Sequence, residues 1–106
     1  MAQTQFSAKV YSLCKQIPKG KVSTYKEIAR ALHTKAYRAV GQALRKNPYA
    51  PVVPCHRVVA SDGTLGGFGG KTKGPNIQRK IRLLKKEGVA VAKGKILNFE
   101  KRLHRF

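Results

Sequence analysis

The chain has 106 residues, 42% of them hydrophobic, which suffices for one domain with a modest core and argues against wholesale disorder. Its 23 lysines and arginines face only four acids, so the formal net charge of +19 favours nucleic acid or an anionic membrane surface as partner. No stretch approaches the roughly 20 apolar residues of a membrane span and no signal pattern opens the chain, so we expect an intracellular protein without a membrane segment.

The first element predicted is an amphipathic helix. Apolar residues recur at helical spacing over 5–17, and Cys14 lies within that apolar stripe, where we expect it to be a small buried side chain. Pro18-Lys19-Gly20-Lys21 breaks the helix and forms a turn. Val22-Ser23 then predicts a short extended piece.

Two further helices follow in close succession. Thr24 and Glu27 match a capping box, in which each side chain satisfies a free amide at a helix start. A turn at 33–35 separates this helix from the next one, which ends at Asn47-Pro48 because the residue before proline disfavours helix. Two short helices joined by a tight turn are a candidate helix-turn-helix.

The second half of the chain alternates loops with short elements. Residues 47–54 are proline-rich and are predicted to be extended, and 61–74 form a glycine-rich loop that would let backbone approach a ligand. Pro75 and Gly88 fit the start and stop of a last helix, and 89–97 predicts a small hairpin. We expect the basic tail, 100–106, to be frayed and solvated.

The most informative segment is Pro54-Cys55-His56-Arg57-Val58. A thiol is a good nucleophile only as thiolate, and a neighbouring base or cation makes thiolate available near neutral pH. A strong nucleophile on a cationic body suggests covalent chemistry on a polyanion. Two free thiols are the default for Cys14 and Cys55, and no Cys/His spacing is typical of a zinc site, so we expect no metal and no cofactor.

The order and spacing of several segments resemble the O6-alkylguanine-DNA alkyltransferases. In chain order these segments are Thr24-Tyr25, Arg38-Ala39-Val40-Gly41, Asn47-Pro48, Pro54-Cys55-His56-Arg57-Val58, the glycine loop, Leu83-Leu84 and Glu87-Gly88. The likeness covers nearly the whole chain. It implies one domain over 1–106, mainly α with short strands and like a winged helix-turn-helix. It also implies a monomer that binds double-stranded DNA containing O6-alkylguanine.

The resemblance assigns the catalytic roles. Cys55 would take the alkyl group from O6 of the damaged guanine once, without regeneration. His56 would withdraw the thiol proton, through a water, and Glu87 would orient and polarise His56. Asn47 would tie the helix-turn-helix to the active-site strand.

The resemblance also assigns DNA contacts. A base inside a duplex cannot reach a protein thiol, so it must be flipped out. Arg38, at the start of the second helix of the helix-turn-helix, would enter the minor groove and replace the flipped nucleotide. Tyr25 would crowd its phosphate, and Ala39 and Gly41 would lie in the same DNA-binding segment. Arg57 joins this set by its charge, although bracing the motif is the role we favour for it.

The substrate pocket follows in the same way. The carbonyls of Cys55 and Val58 would accept hydrogen bonds from the guanine amine, and Leu44 would form an apolar wall. Gly69 would offer its amide to O6. Lys80 aligns with a lysine near the active site of relatives.

Two departures from the family leave the activity open. The first is length, which resembles the alkyltransferase-like proteins, non-enzymatic relatives that bind alkylated guanine and flag it for another pathway. They generally lack a cysteine at the position of Cys55, so the thiol here argues for chemistry. The second is Phe68, a pocket residue where many relatives have tyrosine, and the lost donor to O6 would cost about 1–3 kcal/mol. A plain transcription factor and a cysteine hydrolase rank lower.

Overall fold

The computed structural model of the chain describes residues 5–50, 52–66 and 74–106. Its elements, in chain order, are α1 (Gln5–Gln16), β1 (Ser23–Thr24), α2 (Tyr25–Ala31), α3 (Tyr37–Arg45), one turn of 3-10 helix (Cys55–Arg57, the motif turn), β2 (Val58–Val59), α4 (Pro75–Lys86), β3 (Val91–Ala92), β4 (Lys95–Ile96) and α5 (Phe99–Arg102). The predicted class, mainly α with short strands, is confirmed. None of the described helices is long and apolar enough to cross a membrane.

The first lobe consists of α1, α2 and α3. The Thr24 hydroxyl accepts a hydrogen bond from the Glu27 amide at 3.0 Å, which confirms one half of the predicted capping box. The turn between α2 and α3 includes His33 at φ +57°, and α3 ends at Arg45, just before Asn47-Pro48. The inner faces of these helices share one core cluster, which includes Cys14 as predicted.

The second lobe is built on two short strand pairs. Strand β1 pairs in parallel with β2, and β3 pairs antiparallel with β4 as the predicted hairpin. Lys93 and Gly94 at its turn both have positive φ, as a two-residue hairpin loop of the favoured hand requires. Helix α4 packs its apolar face onto the second core cluster, whose buried members are Val22, Val59, Leu65, Leu84, Val89 and Ile96.

The segment 47–54 was predicted to be extended, and this is wrong. Its described residues form turns: the Val53 amide bonds the Tyr49 carbonyl at 3.0 Å, and the Tyr49 amide bonds the Asn47 side chain at 2.9 Å. The motif that follows also turns, because the Arg57 amide bonds the Pro54 carbonyl at 2.9 Å and closes the motif turn. Asparagine and proline both favour tight turns, and that tendency outweighs the extended bias of proline-rich sequence here.

The basic tail was predicted to be frayed, and this is also wrong. The Val22 amide bonds the Arg102 carbonyl at 2.8 Å, and the His104 amide bonds the Val22 carbonyl at 2.7 Å. The Ser23 hydroxyl donates to the His104 carbonyl at 2.8 Å. The edge of β1 that faces away from β2 needs backbone partners, and the tail supplies them despite its charge.

Candidate active site

Cys55 opens the motif turn at the join between the two lobes. It is partly exposed and packs against the first core cluster, and its amide bonds the Val53 carbonyl at 2.8 Å. Both cysteines are free thiols. Burial raises the pKa of Cys14 to about 12, so this thiol stays protonated at neutral pH. Cys55 is therefore the more accessible of the two thiols.

His56 points from the motif turn to the end of α4. Its Nε2 lies 3.1 Å from Oε2 of Glu87, and the residue is only 3% exposed. Burial lowers the pKa of His56, although the hydrogen bond and charge of Glu87 oppose that shift. A neutral imidazole that donates from Nε2 to the carboxylate keeps its basic lone pair on Nδ1.

Arg57 braces this pair. Its Nε donates to Oε1 of Glu87 at 2.9 Å and its Nη2 to Oε2 at 2.6 Å, while Nη1 donates to the Ile17 carbonyl at 2.9 Å. Burial raises the pKa of Glu87, but hydrogen bonds from Arg57 and His56 outweigh burial and hold it below its ordinary value. With its side chain 16% exposed and committed to these bonds, Arg57 has the geometry of a brace and offers little surface to DNA.

Glu87 reaches the motif turn because α4 ends there. It is the C-terminal cap residue of α4, and its amide bonds the Leu84 carbonyl at 3.0 Å. Gly88 follows at φ +85°, the left-handed conformation that commonly ends a helix. The structure thus brings together Cys55, His56 and Glu87, from two distant parts of the chain.

Asn47 holds the loop that leads into the motif turn. Its side-chain amide donates to the Val53 carbonyl at 2.9 Å, while its side-chain oxygen accepts from the Tyr49 amide.

Sequence reasoning missed Tyr11, whose hydroxyl donates to the Ala43 carbonyl at 2.7 Å and whose ring lies edge-on to Tyr49. Tyr11 lies in the apolar stripe of α1, and nothing in its spacing signals this polar contact.

The outer face of α3 carries the predicted DNA-contact residues. Arg38 and Ala39 are exposed in its first turn, and Gly41 is partly exposed with open space where a side chain would project. Tyr25 opens α2 beneath the start of the glycine loop, since a Cβ on Gly66 would lie 2.9 Å from its hydroxyl. Small residues on a helix face let the backbone approach a partner closely.

The predicted pocket residues fall into three groups. Val58 is buried in β2, and Leu44 is 7% exposed within the first core cluster. Lys80 is fully buried and donates to the carbonyls of Val58, at 2.8 Å, and Leu65. Burial lowers the pKa of Lys80 to about 7, although carbonyl acceptors favour its charged form. Phe68 and Gly69 lie outside the described residues.

No group of three or more metal-ligating side chains occurs within 5–50, 52–66 and 74–106.

A family model described as "6-O-methylguanine DNA methyltransferase, DNA binding domain" matches residues 5–89, a span that contains every predicted site residue. Methylated-DNA–protein-cysteine methyltransferases of Sulfolobus acidocaldarius and Thermococcus kodakarensis are 48% identical over 86 residues and 49% over 87 residues. Each alignment covers 81% of this chain, and the chain spans about half the length of these relatives, 51% and 46%.

Solved structures give the same grouping. Atl1 of S. pombe, in complex with damaged DNA containing O6-carboxymethylguanine, aligns over 100% of both chains with a TM-score of 0.83 and 35% identity. OGT of Mycobacterium tuberculosis, in complex with DNA, aligns over 81% of this chain and 51% of its own with a TM-score of 0.73 and 41% identity. By the match of residues 5–89, the chain belongs to the 6-O-methylguanine DNA methyltransferase family, through its DNA-binding domain.

Proposed function

We propose that this protein repairs DNA directly, by moving an alkyl group from O6 of an alkylated guanine in double-stranded DNA to the sulfur of Cys55. The observation that carries the proposal is the motif turn, in which a partly exposed thiol precedes an imidazole that burial keeps neutral and Glu87 holds in one tautomer. A base of this kind is what a thiol nucleophile needs. Such a reaction takes place where the DNA is, inside the cell.

The chemistry divides into three steps. The basic Nδ1 of His56 takes the Cys55 proton through a water, and the Glu87 carboxylate stabilises the imidazolium that forms. The thiolate sulfur attacks the alkyl carbon of the lesion, so an S–C bond forms while the C–O6 bond breaks. The electron pair remains on the guanine, which takes up, through water, the proton that His56 accepted, so that the base becomes normal guanine and His56 is neutral again. The thioether on Cys55 ends the reaction, because a neutral sulfide holds its alkyl group and has no good leaving group for a further displacement.

Access to the lesion rests on α3. A duplex must release the base into the site, which costs a few kcal/mol of stacking and pairing. Arg38, exposed at the start of α3, would fill the gap in the stack, and the open space at Gly41 would let the wall of the DNA minor groove approach. Tyr25, packed beneath Gly66, would press on the phosphate of the extruded nucleotide.

Lesion removal is the test. The chain is incubated in molar excess with a duplex that contains one O6-methylguanine, and the DNA is then digested and its bases quantified. We expect loss of O6-methylguanine with native protein and none with Cys55→Ser. A Cys14→Ser control should remove the lesion as the native chain does. Persistence of the lesion with folded native protein would refute the proposal.

A second candidate is a protein that binds alkylated guanine without repairing it. The full-length match to Atl1, solved with O6-carboxymethylguanine DNA, favours this alternative. It predicts that native protein and Cys55→Ser hold the lesion duplex equally and that the lesion stays in the DNA. The same digestion therefore separates the two candidates.

A further inference from the structure

We propose that the outward face of α4 binds the phosphate backbone of a second DNA duplex, separate from the one whose base reaches Cys55. The face is formed by Arg79, Arg82 and Lys86, here called the α4 stripe. This inference rests on the proposed function only in that the first duplex lies against α3.

The three cations of the α4 stripe lie on one side of the helix. Their spacing of three and four residues aligns them at about 3.6 residues per turn, over a rise of about 10 Å. All three are exposed, while Ile77, Ile81 and Leu84 face the second core cluster on the other side.

Among the described residues, no ion pair includes a cation of the α4 stripe. Helix α4 contains no aspartate or glutamate, and Glu87, which follows it, already bonds His56 and Arg57. Lys85 is exposed beside the stripe, and with half-buried Leu83 it lines the same concave surface. Like charges one turn apart destabilise a helix, so the stripe costs stability unless an anion covers it.

The α4 stripe points away from the proposed chemistry. Lys80 on the inner side of α4 contacts the Val58 carbonyl, and Glu87 contacts His56, so the motif turn lies against that inner side. Helix α3 packs instead on α1 and α2 in the first lobe. A duplex that delivers a base across α3 to Cys55 therefore leaves the outward face of α4 to another partner.

Duplex DNA fits the stripe by charge and length. It carries one negative charge per about 1.7 Å of axis, so a rise of about 10 Å runs beside several phosphates. An arginine guanidinium can donate two parallel hydrogen bonds to the oxygens of one phosphate, and binding releases the counterions condensed on the DNA. Each phosphate neutralised steepens the logarithmic salt slope by about 0.9.

The experiment counts duplexes per chain by analytical ultracentrifugation at low salt. It uses an unmodified duplex of about one helical turn, which is too short to wrap around the protein. The stripe variant, R79Q/R82Q/K86Q, keeps good helix formers. The control variant, K9Q/K19Q/K93Q, removes the same charge from exposed sites elsewhere.

We expect two duplexes on the native chain and the control variant and one on the stripe variant. On the native chain, a salt titration of the second duplex should give a logarithmic slope of up to about 2.7, because each of the three stripe cations contributes about 0.9. One duplex on the native chain, or two on the stripe variant, overturns the proposal and leaves the proposed function intact. Absence of any bound duplex would also overturn the proposal, while the proposed function is decided separately by the lesion-removal assay.

A second measurement does not depend on the variant. Acetylation of Lys86 in the native chain, followed by mass spectrometry, should slow only after the first equivalent of duplex is bound. Lys93 serves as the internal control and should stay reactive throughout. Equal reactivity of Lys86 at one and two equivalents would also overturn the proposal.

Discussion

Two arginines in this protein illustrate two ways to use the same side chain. Arg57 lies in the motif turn, mostly buried, with bonds to Glu87 and to the Ile17 carbonyl. Arg38 lies in the first turn of α3, exposed beside small residues. Arg57 stabilises the mostly buried Glu87 carboxylate inside the protein, whereas Arg38 is exposed to a partner.

The difference extends to how each region is built. The motif turn depends on contacts between residues 30 to 40 positions apart in sequence. The outer face of α3 depends on spacing within nine residues. Chemistry and DNA contact should therefore be separable by substitution, and the following predictions test that separation.

The largest effect is expected for His56→Ala. Loss of a positioned general base lowers rates by about 10²–10⁴, so single-turnover alkyl transfer to Cys55 should fall by that factor. The fall should be the same for a lesion duplex and for free O6-methylguanine nucleoside, because His56 acts on the thiol. His104→Ala is the matched control. A normal transfer rate in His56→Ala would remove the imidazole from the mechanism.

Arg57→Ala should lower the free energy of unfolding by about 2–3 kcal/mol, measured in urea. The substitution removes a bidentate partner from a carboxylate that is only 11% exposed, and unpairing a fully buried ion costs about 3–5 kcal/mol. Arg79→Ala, on the exposed face of α4, should stay within about 0.5 kcal/mol of native. Equal stability of the two variants would contradict the bracing role.

Arg38→Ala should slow transfer from a duplex by about 10–100-fold, because the few kcal/mol needed to extrude a base are no longer offset. Transfer from single-stranded DNA should stay as in the native chain. Lys9→Ala, which removes an exposed charge from α1, serves as control. Equal slowing on both substrates would show that Arg38 acts on the chemistry and would break the comparison.

Lys80 should make stability depend on pH. Its pKa is about 7 in the folded chain against 10.5 in model compounds, so the unfolded chain binds more protons between these values. The free energy of unfolding should rise by about 1.4 kcal/mol for each pH unit from 7 towards 10. Lys80→Met should lose this rise, while Lys93→Met at an exposed site keeps it. Parallel pH profiles for native chain and Lys80→Met would contradict the burial argument.

Two substitutions of Gly41 should distinguish an effect on stability from an effect on DNA binding, and their effects are the smallest that we expect. Gly41→Ala should raise the free energy of unfolding by about 0.5–1 kcal/mol, because alanine favours helix and no atom opposes its Cβ. Gly41→Leu should be as stable as the native chain but should bind duplex DNA more weakly than the native chain does, as measured by fluorescence anisotropy. Unimpaired duplex binding by Gly41→Leu would show that the DNA groove does not lie against α3 at Gly41.

Local signals predicted most of the fold. The cap at Thr24, the stop at Gly88 and the period of α1 each depend on neighbours within a few residues, and the structure confirms them. The prediction of a frayed tail was wrong because the tail pairs with Val22, 80 residues earlier in the chain. Such a long-range pairing produces no periodic pattern in the sequence. The prediction for 47–54 was wrong because two hydrogen bonds of the Asn47 side chain help to hold turns there, against the extended bias of a proline-rich segment.

The site divides in the same way. Cys55, His56 and Arg57 could be picked out by their adjacency, but the bonds from Arg57 to Glu87 and Ile17 could not be read from sequence. Glu87 could be predicted only through the family resemblance, because an acid beside two lysines would otherwise be interpreted as a solvated surface charge. Tyr11 escaped notice because its ring fits an apolar stripe and its hydroxyl partner lies on another helix.

The central claim is that Cys55 itself receives the alkyl group, and peptide mapping by mass spectrometry tests it most directly. The native chain is saturated with O6-methylguanine duplex, and the peptides that contain Cys55 and Cys14 are compared. We expect one added methyl group on the Cys55 peptide of every chain and none on the peptide of the buried Cys14. An unmodified Cys55 peptide in protein that has bound the lesion duplex would contradict it.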